Sequence, residues 1–286
     1  MPIGPTWTVG DVRVTSIIEL DQHWKFAWLL PDVTPELVAS IDWLQPHFVD
    51  EKGKMVLRIQ ALVVESSGET IVVDTCVGND NERPTPLFDK LQTTFLDDFE
   101  AAGFARESID QVVCTHLHVD HVGWNTMSVD GTWVPTFPNA RHLFGRIEYD
   151  HWRQTDETST YGDVMADSVQ PIVDAGLADL VESTHQLTPE VRLEPTPGHT
   201  PGHQSIRIDS RGEGAVITGD MIHHPIQFPR PDVPSSADTD SAAAIATRRQ
   251  AFERWANDDL LVIGTHFAGP GAGRLSPDGD GWRYTV

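Results

Sequence analysis

Three observations predict an α/β fold. Short apolar runs bounded by Gly, Pro, Asn, Asp and Ser recur along the chain and read as strands. Segments with apolar residues at helical spacing lie between them. Several of the strands run directly into polar loops, which is where α/β sheets carry their chemistry. The chain has 286 residues and 39% hydrophobic side chains, ample for a buried core. One domain spanning residues 1–286 is the economical expectation, since no linker or short-period repeat interrupts it.

In chain order, Trp7–Val9 and Val12–Leu20 flank the turn pair Gly10-Asp11 and predict an opening hairpin. The stretch from about 21 to 50 is rich in aromatics (Trp24, Phe26, Trp28, Trp43, Phe48), which predicts a cover over a pocket or a homodimer contact. Leu57–Glu65 and Thr70–Thr75 form a second hairpin around Ser66-Ser67-Gly68. Pro86–Gly103 is helical by pattern, with Phe88, Leu91, Phe95 and Phe99 close to one face. Gln111–Thr115 is a short apolar strand, Val134–Phe144 supplies short strands, and Arg146–Arg153 and Val164–Ala175 read as helices, the second interrupted by Pro171. Strands follow at Val191–Glu194, Ser205–Asp209 and Ala215–Thr218. The helix Asp240–Asn257 then directs Ile245, Phe252 and Trp255 inward, with Asp238 or Asp240 available as its cap. Leu260–Gly264 is the last clear strand.

Composition narrows the function. A formal charge of −23, from 43 acidic and 20 basic residues, argues against nucleic acid and anionic membranes, which require a basic footprint. No run approaches the roughly 20 apolar residues of a membrane span, and Met1–Pro5 has no signal-peptide pattern, so a cytoplasmic location is expected. Cys76 and Cys114, each in or at the end of an apolar run, read as buried packing.

The chemistry concentrates in Thr115-His116-Leu117-His118-Val119-Asp120-His121. His116 and His118 are two apart, so in extended backbone they leave the same face and reach one metal. Asp120 and His121 follow where the chain turns and can address a second. Isolated ligands recur downstream after apolar strands: His199 in Pro197-Gly198-His199-Thr200-Pro201-Gly202-His203, Asp220 after Thr218-Gly219, and His266 after Gly264-Thr265. Imidazole and carboxylate together suit zinc, with iron, manganese or cobalt possible in the same geometry.

This set resembles the metallo-β-lactamase fold. The resemblance runs from Val73-Asp74 to His266 and implies a four-layer αββα sandwich with a dimetal site at one edge. By the family pattern, His116, His118 and His199 hold the first metal, Asp120, His121 and His266 the second, and Asp220 bridges them. Asp74 is expected to orient a ligand. No Cys follows His199, so the cysteine-ligand branch of the family is not matched. Thr-His-Leu-His-Val-Asp-His-Val-Gly-Trp-Asn and Gly-Asp-Met-Ile-His look like the lactonase and methyl-parathion-hydrolase group. Lactonases of homoserine lactones usually carry a tyrosine three residues after the bridging aspartate, where this chain has His223.

The activity implied is hydrolysis of a small ester, lactone, aryl ester or phosphotriester by a metal-bridging hydroxide. Two cations sharing a water bring its pKa from 15.7 toward about 7. Asp120 would accept and return the proton, and His223 would donate to the oxyanion. No G-x-S-x-G elbow or phosphate-binding loop competes. Trp24, Phe26, Trp28, Trp124, Phe228 and Phe267 are expected to wall an apolar substrate pocket. The alternatives are an iron-dependent oxidoreductase of this fold, such as a sulfur dioxygenase, and a thioesterase of glyoxalase II type.

Overall fold

The computed structural model describes residues 3–286. Its first sheet is built from β1 (Ile3–Val9), β2 (Val12–Trp24), β3 (Met55–Ser66), β4 (Glu69–Val73), β5 (Gln111–Val113), β8 (Arg141–Gly145) and β9 (Ala178–Val181), in that spatial order. A separate two-stranded ribbon, β6 (Thr126–Val129) and β7 (Thr132–Pro135), lies between β5 and β8 in the chain. The second sheet runs β10 (Gln186–Thr188), β11 (Val191–Pro195), β12 (Gln204–Ser210), β13 (Glu213–Ile217), β14 (Leu261–Ile263), β15 (Ala272–Asp278) and β16 (Gly281–Thr285).

Period-two burial explains how the sheets stack. On β3, Ala61 and Val63 face one way into a core shared with helices, while Leu62 and Val64 face the other sheet. Leu193, Ile206, Ile208, Ala215 and Ile217 meet them from the second sheet. The helical layer on the first sheet comprises α3 (Phe95–Ala101), α4 (Arg146–Trp152), α5 (Thr158–Tyr161) and α6 (Gln170–Asp174). Phe95, Phe99, Tyr149, Trp152 and Ile172 are its buried apolar side chains. Covering the second sheet are α7 (Ser241–Asn257) and the segment holding α1 (Phe26–Leu29) and α2 (Pro35–Ala39). Phe252 and Trp255 pack there with Leu30, Phe48, Val216 and Val262. The result is the four-layer αββα sandwich.

Strand direction assembles the site. β4, β5 and β8 are mutually parallel, as are β13 and β14. The loops after β4, β5, β13 and β14 therefore leave their sheets at matching ends, and these loops carry Asp74, His116–His121, Asp220 and His266. The β3–β4 turn uses Ser67 and Gly68, both at positive φ (54° and 88°), the conformation tight hairpin turns require.

Several elements differ from the sequence reading. The helix expected over Pro86–Gly103 is confined to Phe95–Ala101. Its N-terminal part is held in a loop: Thr93 N–H donates to Asn79 Oδ1, the Thr93 hydroxyl donates to Glu19, and Lys90 N–H donates to the Asn81 carbonyl. Val164–Ala175 opens with a π-helical turn, Met165–Val169, before α6. β15 and β16 form a hairpin beyond the last strand anticipated. Asp240 caps α7 by accepting from Ala243 N–H, whereas Asp238 turns elsewhere. Among the described residues no helix is long and apolar enough to cross a membrane.

Both thiols are free and buried, and burial raises the pKa of each well above the ordinary value. A thiol-reactive chromogenic disulfide at pH 8 should therefore label neither Cys76 nor Cys114 in the native protein and both after denaturation. Rapid native labelling would contradict the packing described.

Candidate metal centre

Four histidines present one ring nitrogen inward because a fixed acceptor takes the other. His121 Nδ1 lies 2.9 Å from Asp74 Oδ2, His199 Nδ1 3.2 Å from Asp238 Oδ1, and His266 Nδ1 2.8 Å from the Arg58 carbonyl. His116 Nδ1 lies 3.1 Å from Thr115 Oγ1, and that hydroxyl donates to Asp74 Oδ2 at 2.9 Å. An imidazole donating from Nδ1 keeps its Nε2 lone pair for a cation, and such outer partners set the tautomer.

The inward atoms fall into two groups around Asp220. In the first, His116 Nε2, His118 Nδ1 and His199 Nε2 stand 2.9–3.2 Å apart, with Asp220 Oδ2 at 3.6 Å from His199 and 3.9 Å from His116. In the second, Asp220 Oδ1 lies 2.9 Å from His266 Nε2 and 3.3 Å from His121 Nε2. Asp120 completes it, with its oxygens 3.7 Å from His121 Nε2 and 3.6 Å from His266 Nε2. Each group has the size and donor type of a divalent metal site. The fit is reinforced by buried lone pairs: His121 Nε2 and Asp220 Oδ1 have no hydrogen-bond partner among the described residues. So dense a set of imidazoles is poorly satisfied by hydrogen bonds alone.

The electrostatics follow from the packing. Burial, then neighbouring imidazoles, push His116, His118 and His199 well below the ordinary histidine value, leaving neutral donors. Burial alone would raise Asp220, but His121, His266 and His223 hold it well below the usual carboxylate range. Burial opposes a charge on His121, yet Asp220, Asp74 and Asp120 raise it well above the ordinary value.

Two glycines permit the loops to approach this closely. Gly219 has φ 54°, and a Cβ there would sit 2.6 Å from His203 Nε2. Gly198 has φ 135°, and its Cβ would meet the Ala244 backbone at 2.2 Å. His203 is a positioning group: its Nδ1 lies 3.1 Å from the Thr196 carbonyl and its Nε2 accepts from Asp220 N–H at 2.9 Å. Burial lowers its pKa to about 4, so this neutral tautomer persists.

The sequence offered Asp238 only as a helix cap and gave no sign of Glu148. Asp238 holds His199, accepts from Ser235 N–H, and lies 3.6 Å from the buried guanidinium of Arg248. Arg248 on the apolar face of α7 was the available signal. Glu148 on α4 accepts four donors, from Leu117 N–H, Trp152 Nε1, Thr200 Oγ1 and Gly202 N–H. It thus ties the His116–His121 loop to the His199 loop. Burial raises its carboxyl above the ordinary value, against these hydrogen bonds.

A cavity of about 340 Å³ opens over the cluster. Asp120, Asp220, His223 and His266 form its polar floor, and Trp24, Trp28, Leu29, Ile59 and Phe88 its apolar wall. Trp24 and Trp28 meet edge to face at 4.3 Å, with Trp28 half exposed at the mouth. The other four aromatics expected there line no part of it. Phe26 is buried against His224, and Trp124 stacks on Phe95 while its indole N–H reaches Glu19. Phe228 and Phe267 are in the core with Phe48 and Tyr284. Alternation explains Phe267: its neighbour His266 points to the site, so it points away. Tyr161, unanticipated, lies against His118 and lines the cavity.

Residues 56–280 match the metallo-beta-lactamase superfamily. The chain belongs to that superfamily. Among curated relatives of this metallo-beta-lactamase chain, an N-acyl homoserine lactonase from Bacillus sp is 29% identical over 115 residues, 40% of this chain and 39% of the relative. The N-acyl homoserine lactonase AttM of Rhizobium radiobacter is 31% identical over 126 residues, 43% of this chain and 44% of the relative. These matches span less than half the length of either relative. Two solved structures share the fold along nearly the full length. AidC, a dizinc quorum-quenching lactonase in complex with a product, superposes with TM-score 0.81 at 22% identity, covering 99% of this chain and 97% of AidC. The hydrolase AbOPH superposes with TM-score 0.80 at 24% identity, covering 99% and 96%.

Replacing Glu148 by Ala would strand four donors in the interior. The variant should lose about 3 kcal/mol or more of stability in urea unfolding. Wild-type stability in that variant would refute the bridging role.

Proposed function

We propose that this protein hydrolyses a neutral ester with an apolar arm, a lactone above all, using two zinc ions held on either side of Asp220. The observation that carries the reading is the Asp220 carboxylate, whose two oxygens face separate donor groups at the floor of an apolar cavity. His116, His118 and His199 would hold one ion and Asp120, His121 and His266 the other. Divalent cations held there would acidify a water and polarise a carbonyl.

The chain's own groups supply the rest. Asp120, at the edge of the cavity and less buried than the histidines, is placed to take the water's proton and return it to the leaving oxygen. His223 faces the same space and would donate a hydrogen bond to the developing oxyanion. Trp24, Trp28, Leu29 and Phe88 exclude water and seat the apolar arm. No Lys or Arg is among the described lining residues, which favours a neutral substrate over a nucleotide, a coenzyme A thioester or a glutathione conjugate. The lactonases among the relatives support a lactone, with the acyl-homoserine group as one member of the class to be assayed.

Zinc-loaded protein should turn over γ- and δ-lactones ahead of thioesters and a β-lactam, and a chelator should abolish the activity until zinc is restored. Absence of turnover on every ester, or oxygen uptake by an iron-loaded form, would overturn the reading. Asp120→Asn should lower kcat by about 10²–10⁴ with KM nearly unchanged. Trp28→Ala should instead raise KM for long-chain esters in steady-state assays and spare kcat.

A further inference from the structure

Arg248 is enclosed in the face of α7 that also carries Ala244, Ala251, Phe252 and Trp255, whereas Arg249 is exposed and Arg254 pairs with Glu194 at the surface. A guanidinium in an apolar stripe is costly, and a methionine or leucine would fill the place without that cost, so the charge calls for a use. Its donors are divided. Nε donates to the Met221 carbonyl at 3.0 Å, and Nη1 to the carbonyls of Pro231 and Val233 at 3.1 Å and 2.6 Å. Nη2 makes no hydrogen bond among the described residues and faces Asp238 Oδ2 at 3.6 Å. Both side chains are shut off from solvent.

We propose that Arg248 is a positioning residue for the metal position formed by His116, His118 and His199, acting through Asp238 on His199. Asp238 stands between the two with its oxygens divided. Oδ1 lies 3.2 Å from His199 Nδ1, while Oδ2 accepts from Ser235 N–H at 2.9 Å and faces the guanidinium. The guanidinium is itself tied to the Asp220 loop through Met221 and to the segment leading into Asp238 through Pro231 and Val233. The backbone leaves no slack in this arrangement. Thr239 and Asp240 N–H donate to the carbonyls of His199 and Gly198 at 2.8 Å and 3.0 Å, so the start of α7 is fastened to the His199 loop. A Cβ on Gly198 would meet the Ala244 backbone, one turn ahead of Arg248.

The consequence is a line of contacts from helix to ligand: guanidinium, carboxylate, imidazole. The positive charge answers Asp238 and its place fixes which way the carboxylate turns, which keeps Oδ1 on the His199 Nδ1 proton and leaves Nε2 for the cation. The inference rests on the metal pair of the proposed function and is independent of the lactone substrate.

The test is heteronuclear NMR of the zinc-loaded full chain with isotope-labelled histidine, followed while a graded chelator withdraws the zinc. In the unmutated chain the His199 Nδ1 proton should exchange slowly with solvent. Arg248→Met should speed that exchange and weaken zinc at the His199 position about tenfold or more. The His266 Nδ1 proton, which faces the Arg58 carbonyl, should keep its exchange rate, a contrast that a general loosening of the fold would not produce. Asp238→Asn should weaken the same position, and the variant carrying both changes should be no weaker than the worse single one. Where Arg248→Met alone fails to fold by circular dichroism, the double variant, which removes both buried charges, is compared with Asp238→Asn, and equal zinc affinity is expected. Unchanged exchange and affinity in Arg248→Met, additive losses in the double variant, a double variant weaker than Asp238→Asn, or a rapidly exchanging His199 Nδ1 proton in the unmutated chain overturns the proposal. An unmutated chain that holds no zinc overturns the proposed function with it.

Discussion

Asp220 is a buried carboxylate surrounded by imidazoles from four loops, and the rest of the site is arranged to keep it there. Its oxygens are divided, one toward His121 and His266 and the other toward His116, His199 and His223. A buried charge is tolerated when opposite charge or a cation answers it. The parallel β13–β14 and β4–β5 pairs bring the required loops to one edge, the positive φ of Gly219 lets Asp220 turn inward, and His203 fixes its backbone.

Carboxylates hydrogen-bonded behind the histidines give this centre its rigidity. Asp74 serves both His121 and the Thr115 hydroxyl behind His116, while Asp238 holds His199. Glu148 joins the two ligand loops of the first position. Precise placement is what a reaction at two centres requires, since small displacements cost rate steeply. The acidic composition thus has a local component: part of it orients the ligands from behind, inside the protein.

The central cluster was legible because its ligands are contiguous or follow apolar strands, so one short pattern reports geometry directly. The superfamily fold was legible for the same reason. The groups behind the ligands were not. Glu148 lies in a short helix whose pattern, Arg-Ile-Glu-Tyr-Asp-His-Trp, reads as a polar surface, and nothing local marks it as the partner of Gly202, 54 residues away. Pocket walls were half legible. Trp24 and Trp28 line the cavity, yet Trp124 and Phe267, beside ligands in sequence, point into the core because chain neighbours diverge in direction. The helix expected over Pro86–Gly103 starts late because Glu19, remote in sequence, and Asn79 hold Thr93 in a loop just ahead of α3.

The account depends on two cations sharing Asp220, and anomalous diffraction at the zinc edge from zinc-loaded crystals tests that most directly. Two peaks about 3.5–4 Å apart are expected, one among His116, His118 and His199 and the other among Asp120, His121 and His266, with Asp220 between them. A single peak, or a pair that leaves Asp220 to one side, would contradict it.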